Sequence, residues 1–211
     1  MSLPGKLQRA FIYERRLRRL AELLAQTIPK SYGVLDVGSG DGRLAWSLMQ
    51  RRSDLAIQGV DVMMRPATQI PVKLFDGTTL PYPNSSFDAV MLIDVLHHTV
   101  DPFRLLREAL RVCRNCLIVK DHLLEGFAAG LRLRILDYAG NADHGVALPY
   151  NYMSEKQWVE FETLLQVKVM TKTKKLDLYP WPVNLVFGAG LQFLARYAKS
   201  DADAQGGEAV F

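Results

Sequence analysis

The sequence predicts an α/β fold, a mostly parallel sheet with helices on both faces. Two observations carry the prediction. Short runs rich in Val, Ile and Leu recur at Gly33 to Val37, Ala56 to Asp61, Val72 to Phe75, Phe87 to Ile93 and Leu117 to Lys120. Their nearly continuous hydrophobicity suits strands covered on both sides. Helical patterns alternate with them, and strand, helix, strand in repetition implies right-handed crossovers between parallel neighbours.

Taken in order, Leu7, Ala10, Phe11, Leu17, Ala21, Leu24 and Ile28 recur at helical steps and stop before Pro29, which predicts an opening amphipathic helix. Arg43 to Gln50 places Leu44 and Leu48 one turn apart, and Asp101 to Val112 opens with an Asp N-cap and Pro102 at the first helical position. After the fifth run the rhythm changes. A helix is expected from about Leu124 to Tyr138, then a polar and aromatic loop from Gly140 to Tyr152. Ser154 to Gln157 forms a capping box opening a helix to about Leu165. Gln166 to Lys172 alternates as a strand with two unlike faces, and Leu191 to Tyr197 is assigned as a last strand.

The 211 residues suit one domain, and 49% hydrophobic with 23% charged residues excludes disordered, collagen-like and coiled-coil chains. Lys and Arg number 26 against 22 Asp and Glu, and Lys6, Arg9, Arg15, Arg16, Arg18 and Arg19 concentrate the excess at the N-terminus. The neutral body argues against a nucleic-acid groove. Glu14 and the arginines around it interrupt any leader-like apolar run, so the cytoplasm is the expected location. Trp181 to Ala195, the most apolar stretch, is shorter than the about 20 residues a membrane helix needs, which leaves only peripheral membrane contact open. Cys113 and Cys116, astride an expected turn into the fifth strand, are assigned as structural.

The chemistry concentrates in Val34-Leu35-Asp36-Val37-Gly38-Ser39-Gly40-Asp41-Gly42. A buried strand leads through three closely spaced glycines into a helix. Glycine is needed where the chain takes positive φ or where a ligand presses on backbone. A dinucleotide fingerprint would read Gly-x-Gly-x-x-Gly and place a pyrophosphate there. Here Asp36 and Asp41 flank or interrupt the turn. Their charges repel phosphate and suit a cationic ligand.

These residues resemble the class I S-adenosylmethionine-dependent methyltransferases, in particular the type 11 family, over about residues 30 to 121. The resemblance implies a Rossmann-like, doubly wound, mostly parallel seven-stranded sheet of order 3-2-1-4-5-7-6. It implies S-adenosylmethionine as cofactor and S-adenosylhomocysteine as product. Asp36, Gly38 and Gly40 correspond to the family's first motif; Asp61, followed by Val62, corresponds to the acid that binds the ribose hydroxyls. Asp76 and Gly77 resemble the adenine motif, and Asp94 and Val95 the fourth motif beside the methionine part. Asp88, at the opposite end of its strand, is expected to be structural.

On this resemblance residues 1–200 form one methyltransferase domain: an N-terminal helical lid (1–29), a cofactor core (30–121), a substrate-side insertion and helix (122–165) and C-terminal strands (166–200), with 201–211 frayed. The expected reaction is in-line methyl transfer to a small-molecule acceptor. Candidate bases are Asp121, His122 and, with the most suitable pKa, His144; Asp137, Asn141, Tyr150 and Tyr152 are further candidates on the same rim. No metal is expected, because His97 and His98 are adjacent and no third ligand stands at metal spacing. Alternatives are a non-catalytic protein that keeps the cofactor fold, a membrane-associated lipid or quinone methyltransferase, and, from the fold alone, a nicotinamide enzyme. The sequence leaves the oligomeric state open.

Overall fold

Seven strands, β1 (Gly33–Val37), β2 (Ala56–Asp61), β3 (Val72–Leu74), β4 (Phe87–Ile93), β5 (Cys113–His122), β6 (Lys168–Thr173) and β7 (Gln192–Ala198), are hydrogen-bonded in the order β3-β2-β1-β4-β5-β7-β6. This is the arrangement of a computed structural model, which describes residues 3–141, 149–188 and 190–199. The strands β1 to β5 run parallel, whereas β7 lies antiparallel between β5 and β6. The carboxyl ends of the parallel strands therefore share one rim, at Val37, Asp61, Leu74, Ile93 and His122.

Six helices accompany the sheet: α1 (Leu3–Thr27), α2 (Arg43–Arg51), α3 (Pro102–Val112), α4 (Ala129–Asn141), α5 (Glu155–Leu164) and α6 (Val183–Phe187). Pleating sends neighbouring residues to opposite faces. Val34 and Met91 accordingly pack with Leu20 and Leu24 of α1 and Leu48 of α2. Leu35 and Val90 pack on the other side with Leu105 and Leu106 of α3 and Trp158 and Phe161 of α5. The predicted caps are present: Asp101 accepts from Arg104 N at 2.9 Å, and Ser154 and Gln157 close a reciprocal capping box.

The differences from expectation have local causes. The fifth strand begins at Cys113 and ends at His122 rather than spanning only Leu117 to Lys120, so both cysteines lie within it, opposite Phe87 and Ala89, rather than astride a turn. Burial pushes the Cys113 thiol up to about 12 and Cys116 to about 11, which suits packing rather than reactivity. The helix expected from Leu124 starts at Ala129, because Gly126 and Ala128 take φ of 89° and 50° and break the turn before it. Edge strand β6 is largely exposed on both faces and bulges between Val169 and Thr171, so its two faces do not separate as the alternation predicted. Among the described residues no helix is long and apolar enough to cross a membrane. The tail from 201 lies outside the described residues.

Candidate active site

The glycine turn rests on β2. Gly38 N and Ser39 N both donate to Val60 O, at 2.8 and 3.1 Å. Asp61, buried at the end of β2, accepts from Gly40 N through Oδ2 at 2.8 Å and from Met63 N through Oδ1 at 2.9 Å. The glycines have different tasks. A Cβ on Gly38 would stand 2.5 Å from Val95 Cγ2, so Gly38 admits the loop after β4. Gly40, at φ 59°, has nothing within 4 Å of the place a Cβ would take. Beside this opening, Ser39 Oγ is buried without a hydrogen-bond partner. Burial, reinforced by Asp61, raises the Asp36 carboxyl to about 8. A cation placed against it would draw it back to the carboxylate.

The remaining family-motif residues occupy the same rim. Val62 is exposed and faces Gly77, where a Cβ would come within 3.2 Å of Val62 Cγ1. Asp76 is exposed, and its Oδ1 accepts from Thr78 N and Thr79 N, both at 2.7 Å, as an Asx turn. Asp88 accepts from Gly33 N at 2.9 Å and pairs with Arg114 at 2.7 Å at the other end of the sheet, the structural role expected of it.

A charged cluster that the sequence did not assemble lies where β4 and β5 end. Asp94, at φ 57°, pairs with Arg16 of α1 through Oδ2 and with the fully buried Lys120 ammonium through Oδ1. Burial opposes the Asp94 charge, but Lys120 and Arg16 outweigh it and hold the carboxyl below its usual range. Burial lowers the Lys120 pKa against the pull of Asp94. Next to this pair, Asp121 accepts from Leu96 N through Oδ2 at 3.0 Å, and from His122 N at 2.7 Å and His97 Nδ1 at 2.6 Å through Oδ1. His97 Nε2 lies 3.5 Å from Asp137 Oδ2, which also accepts from Tyr152 OH at 2.5 Å.

The titration of the two histidines is opposed. Burial resists charge on His97, but Asp121 and Asp137 on either side outweigh it and raise its pKa. Burial, together with His97 at an Nδ1–Nδ1 distance of 3.2 Å, lowers that of His122. Asp121 is held well below the carboxylate range because the histidines outweigh the penalty of burial. Groups pushed apart in this way divide proton-accepting and charge-holding roles.

The structure thus brings Asp121, His122, Asp137 and Tyr152 together, as candidate bases on one rim, and adds His97, Lys120 and Arg16. His144 lies outside the described residues. The reason given against a metal requires correction: Asp94, His97, Asp121 and His122 offer ligand atoms within 4.8 Å of one another, although two are remote in sequence. Lys120 pairs with Asp94 Oδ1 in the same group. A signal for this cluster existed, since Lys120 and Asp121 continue an apolar run and a charge buried on both faces of a sheet requires a partner.

A family model described as "Methyltransferase domain" matches residues 35–116, from β1 into β5, and takes in the glycine turn, Asp61, Asp76 and Asp94. Over that segment the chain is similar to methyltransferase domains. The chain is 30% identical over 135 residues to the 27-O-demethylrifamycin SV methyltransferase of Amycolatopsis mediterranei (strain S699), covering 56% of this chain and 49% of that protein. It is 34% identical over 102 residues to an uncharacterized methyltransferase of Mycobacterium sp. (strain KMS), covering 45% and 40%. The chain thus matches about half or less of the length of these curated relatives. Its fold is shared with the PH0226 protein of Pyrococcus horikoshii OT3 (TM-score 0.66, 18% identity, 89% of this chain and 91% of that one). It is also shared with a possible histamine N-methyltransferase of Thermotoga maritima (TM-score 0.64, 18% identity, 94% and 96%). The likeness to methyltransferase domains raises S-adenosylmethionine as the cofactor to test against these residues. The open side of Gly40, the unpartnered Ser39 Oγ and the Asp36–Asp61 pair fit such a cationic group.

Proposed function

We propose that this protein transfers the methyl group of S-adenosylmethionine to a small-molecule acceptor bearing a protic nucleophile, a hydroxyl or phenol. The observation that carries the reading is the open backbone at Gly40 between two carboxylates, on the same rim as the buried His97–Asp121 pair. When bound, the cofactor supplies a methyl carbon made electrophilic by a sulfonium.

The proposed cofactor contacts are Asp36, Gly38, Gly40, Asp61, Val62, Asp76, Gly77, Asp94 and Val95. Asp61 uses two of its roughly four acceptor positions on Gly40 N and Met63 N, and the others remain for ribose hydroxyls. Asp36 balances positive charge on the cofactor. The helix α1, fastened by Arg16 to Asp94 and by Glu14 to Arg43, acts as the lid. The proton lost by the acceptor goes to the cluster at the ends of β4 and β5. His122, kept neutral by its surroundings, takes it, and the Asp121 carboxylate, which accepts from His97 Nδ1–H, stands beside it. Asp121 and His144 are the other candidate bases. The name of the Amycolatopsis relative, which refers to a small-molecule O-demethyl compound, supports a hydroxyl acceptor.

The test is calorimetry with S-adenosylhomocysteine and with NAD. S-adenosylhomocysteine should bind, and Asp61→Ala should weaken it by about 1–3 kcal/mol, the cost of polar groups left unmatched. Tight NAD binding without S-adenosylhomocysteine binding would overturn the reading.

A further inference from the structure

Helix α4 is apolar on both sides. Leu133 turns inward and is fully buried with Ala129, Tyr152 and Leu191, and Leu136 packs with the α1 side of the core. Yet Leu131, Ile135 and Tyr138, spaced four and three residues apart on another side, are exposed, as is Phe127 one turn earlier at 94%. An exposed apolar stripe on a helix already buried on its other side marks a surface for a further partner. The stripe has a neighbour: Arg132 donates to Val186 O at 2.7 Å and joins α4 to α6, where Leu185 is exposed and Trp181 is 82% exposed. The charge on α4 itself is mainly basic, and the exposed acid beside α6, Asp177, accepts from Asn184. Arg132 and Arg134 stand on α4, Arg134 exposed and with its guanidinium 5.4 Å from the Tyr150 ring. Of the two acids between residues 123 and 141, Asp137 is buried on Tyr152 and Glu125 accepts from Glu155 N; between residues 181 and 199 there are none.

We propose that the α4–α6 face docks on an anionic lipid bilayer, with Phe127, Leu131, Ile135, Trp181 and Leu185 entering the interface and the arginines meeting lipid phosphates. Exposed apolar area gives such binding its strength, and basic side chains give its preference for anionic headgroups. Trp181 and Tyr138 are of the residue types that favour the headgroup level. Asp137 lies on the inner side of the same helix and belongs to the His97 cluster, so docking would set one side of α4 on lipid and the other on the candidate active site. The inference does not depend on the methyl-transfer reading.

The test is flotation of the full chain with phosphatidylcholine vesicles and with vesicles that also contain phosphatidylglycerol, at low and high salt. Binding is expected to the anionic vesicles, weakened several-fold by salt. The double variant Phe127→Ser, Leu131→Ser should reduce partitioning about tenfold or more. Both positions are exposed, so S-adenosylhomocysteine affinity should be unchanged in that variant, which separates a lost surface from a lost fold. Failure of the wild-type chain to float, undiminished binding by the variant, or a wild-type dimer that the same substitutions dissociate would each overturn the proposal.

Discussion

Replacing Asp121 by Asn tests the buried cluster most directly. The side chain keeps its shape but loses its charge and one of its two acceptor oxygens. In the native protein three donors converge on the carboxylate: Leu96 N at 3.0 Å, His122 N at 2.7 Å and His97 Nδ1 at 2.6 Å. If the Asn oxygen keeps the pair on the Oδ1 side, its amide group faces Leu96 N–H, donor against donor. A buried donor left unsatisfied costs about 1–3 kcal/mol, and hydrogen bonds to a charged group contribute about 1.5–3 kcal/mol each. Breaking a buried ion pair from one side costs about 3–5 kcal/mol, and that is the loss expected here. Denaturant unfolding of wild type and variant reads it out, with an unchanged slope.

The pH dependence gives an independent check. The lowered Asp121 pKa means its contribution is present above about pH 4 and is lost as pH falls through the folded value. The raised His97 pKa means its contribution is present below about pH 6.5 and is lost as pH rises through the folded value. The gap between wild type and variant should therefore be widest between these limits and narrow at alkaline pH. His97, followed by NMR, should titrate lower in the variant. A loss under about 1 kcal/mol, within the range of ordinary surface changes, together with an unmoved His97, would refute the reasoning.

Other substitutions separate roles at the glycine turn. Because Asp36 is raised to about 8, its contribution to stability is full at acid pH and erodes as pH rises from about 4 towards that value. Asp36→Asn should therefore stabilise the ligand-free protein at pH 7 by on the order of 2 kcal/mol while weakening S-adenosylhomocysteine about tenfold; a variant less stable at every pH would contradict this. Gly38→Ala should cost about 1–3 kcal/mol of stability, because its Cβ meets Val95 and φ is 74°. Gly40→Ala should cost only about 1 kcal/mol but reduce cofactor affinity about tenfold, since its Cβ stands in open space. Thermal unfolding and calorimetry on the two proteins should show opposite patterns, and equal ones would count against the assignment.

The sequence by itself determined the cofactor half. The strands, the glycine turn, Asp61 at its strand end and the Asp101 and Ser154 caps are local features, because periodicity, N-caps and positive-φ glycines depend on neighbours a few residues away. The C-terminal strand expected at Leu191 to Tyr197 is also present, as the largely buried β7. Tertiary structure decided the rest. Asp94 and Lys120 are 26 residues apart, and His97 reaches Asp121 and Asp137 only because β4 pairs with β5 and α4 packs over their ends. The partners of His97 were illegible for that reason: a parallel sheet brings distant strand ends to one rim. Residues Leu124 to Ala128 escaped the helix because two positive φ angles, not hydrophobicity, set its start. Which side of α4 would face water was equally hidden, since leucines lie on more than one of its sides and the exposed stripe shows only after one side has been buried.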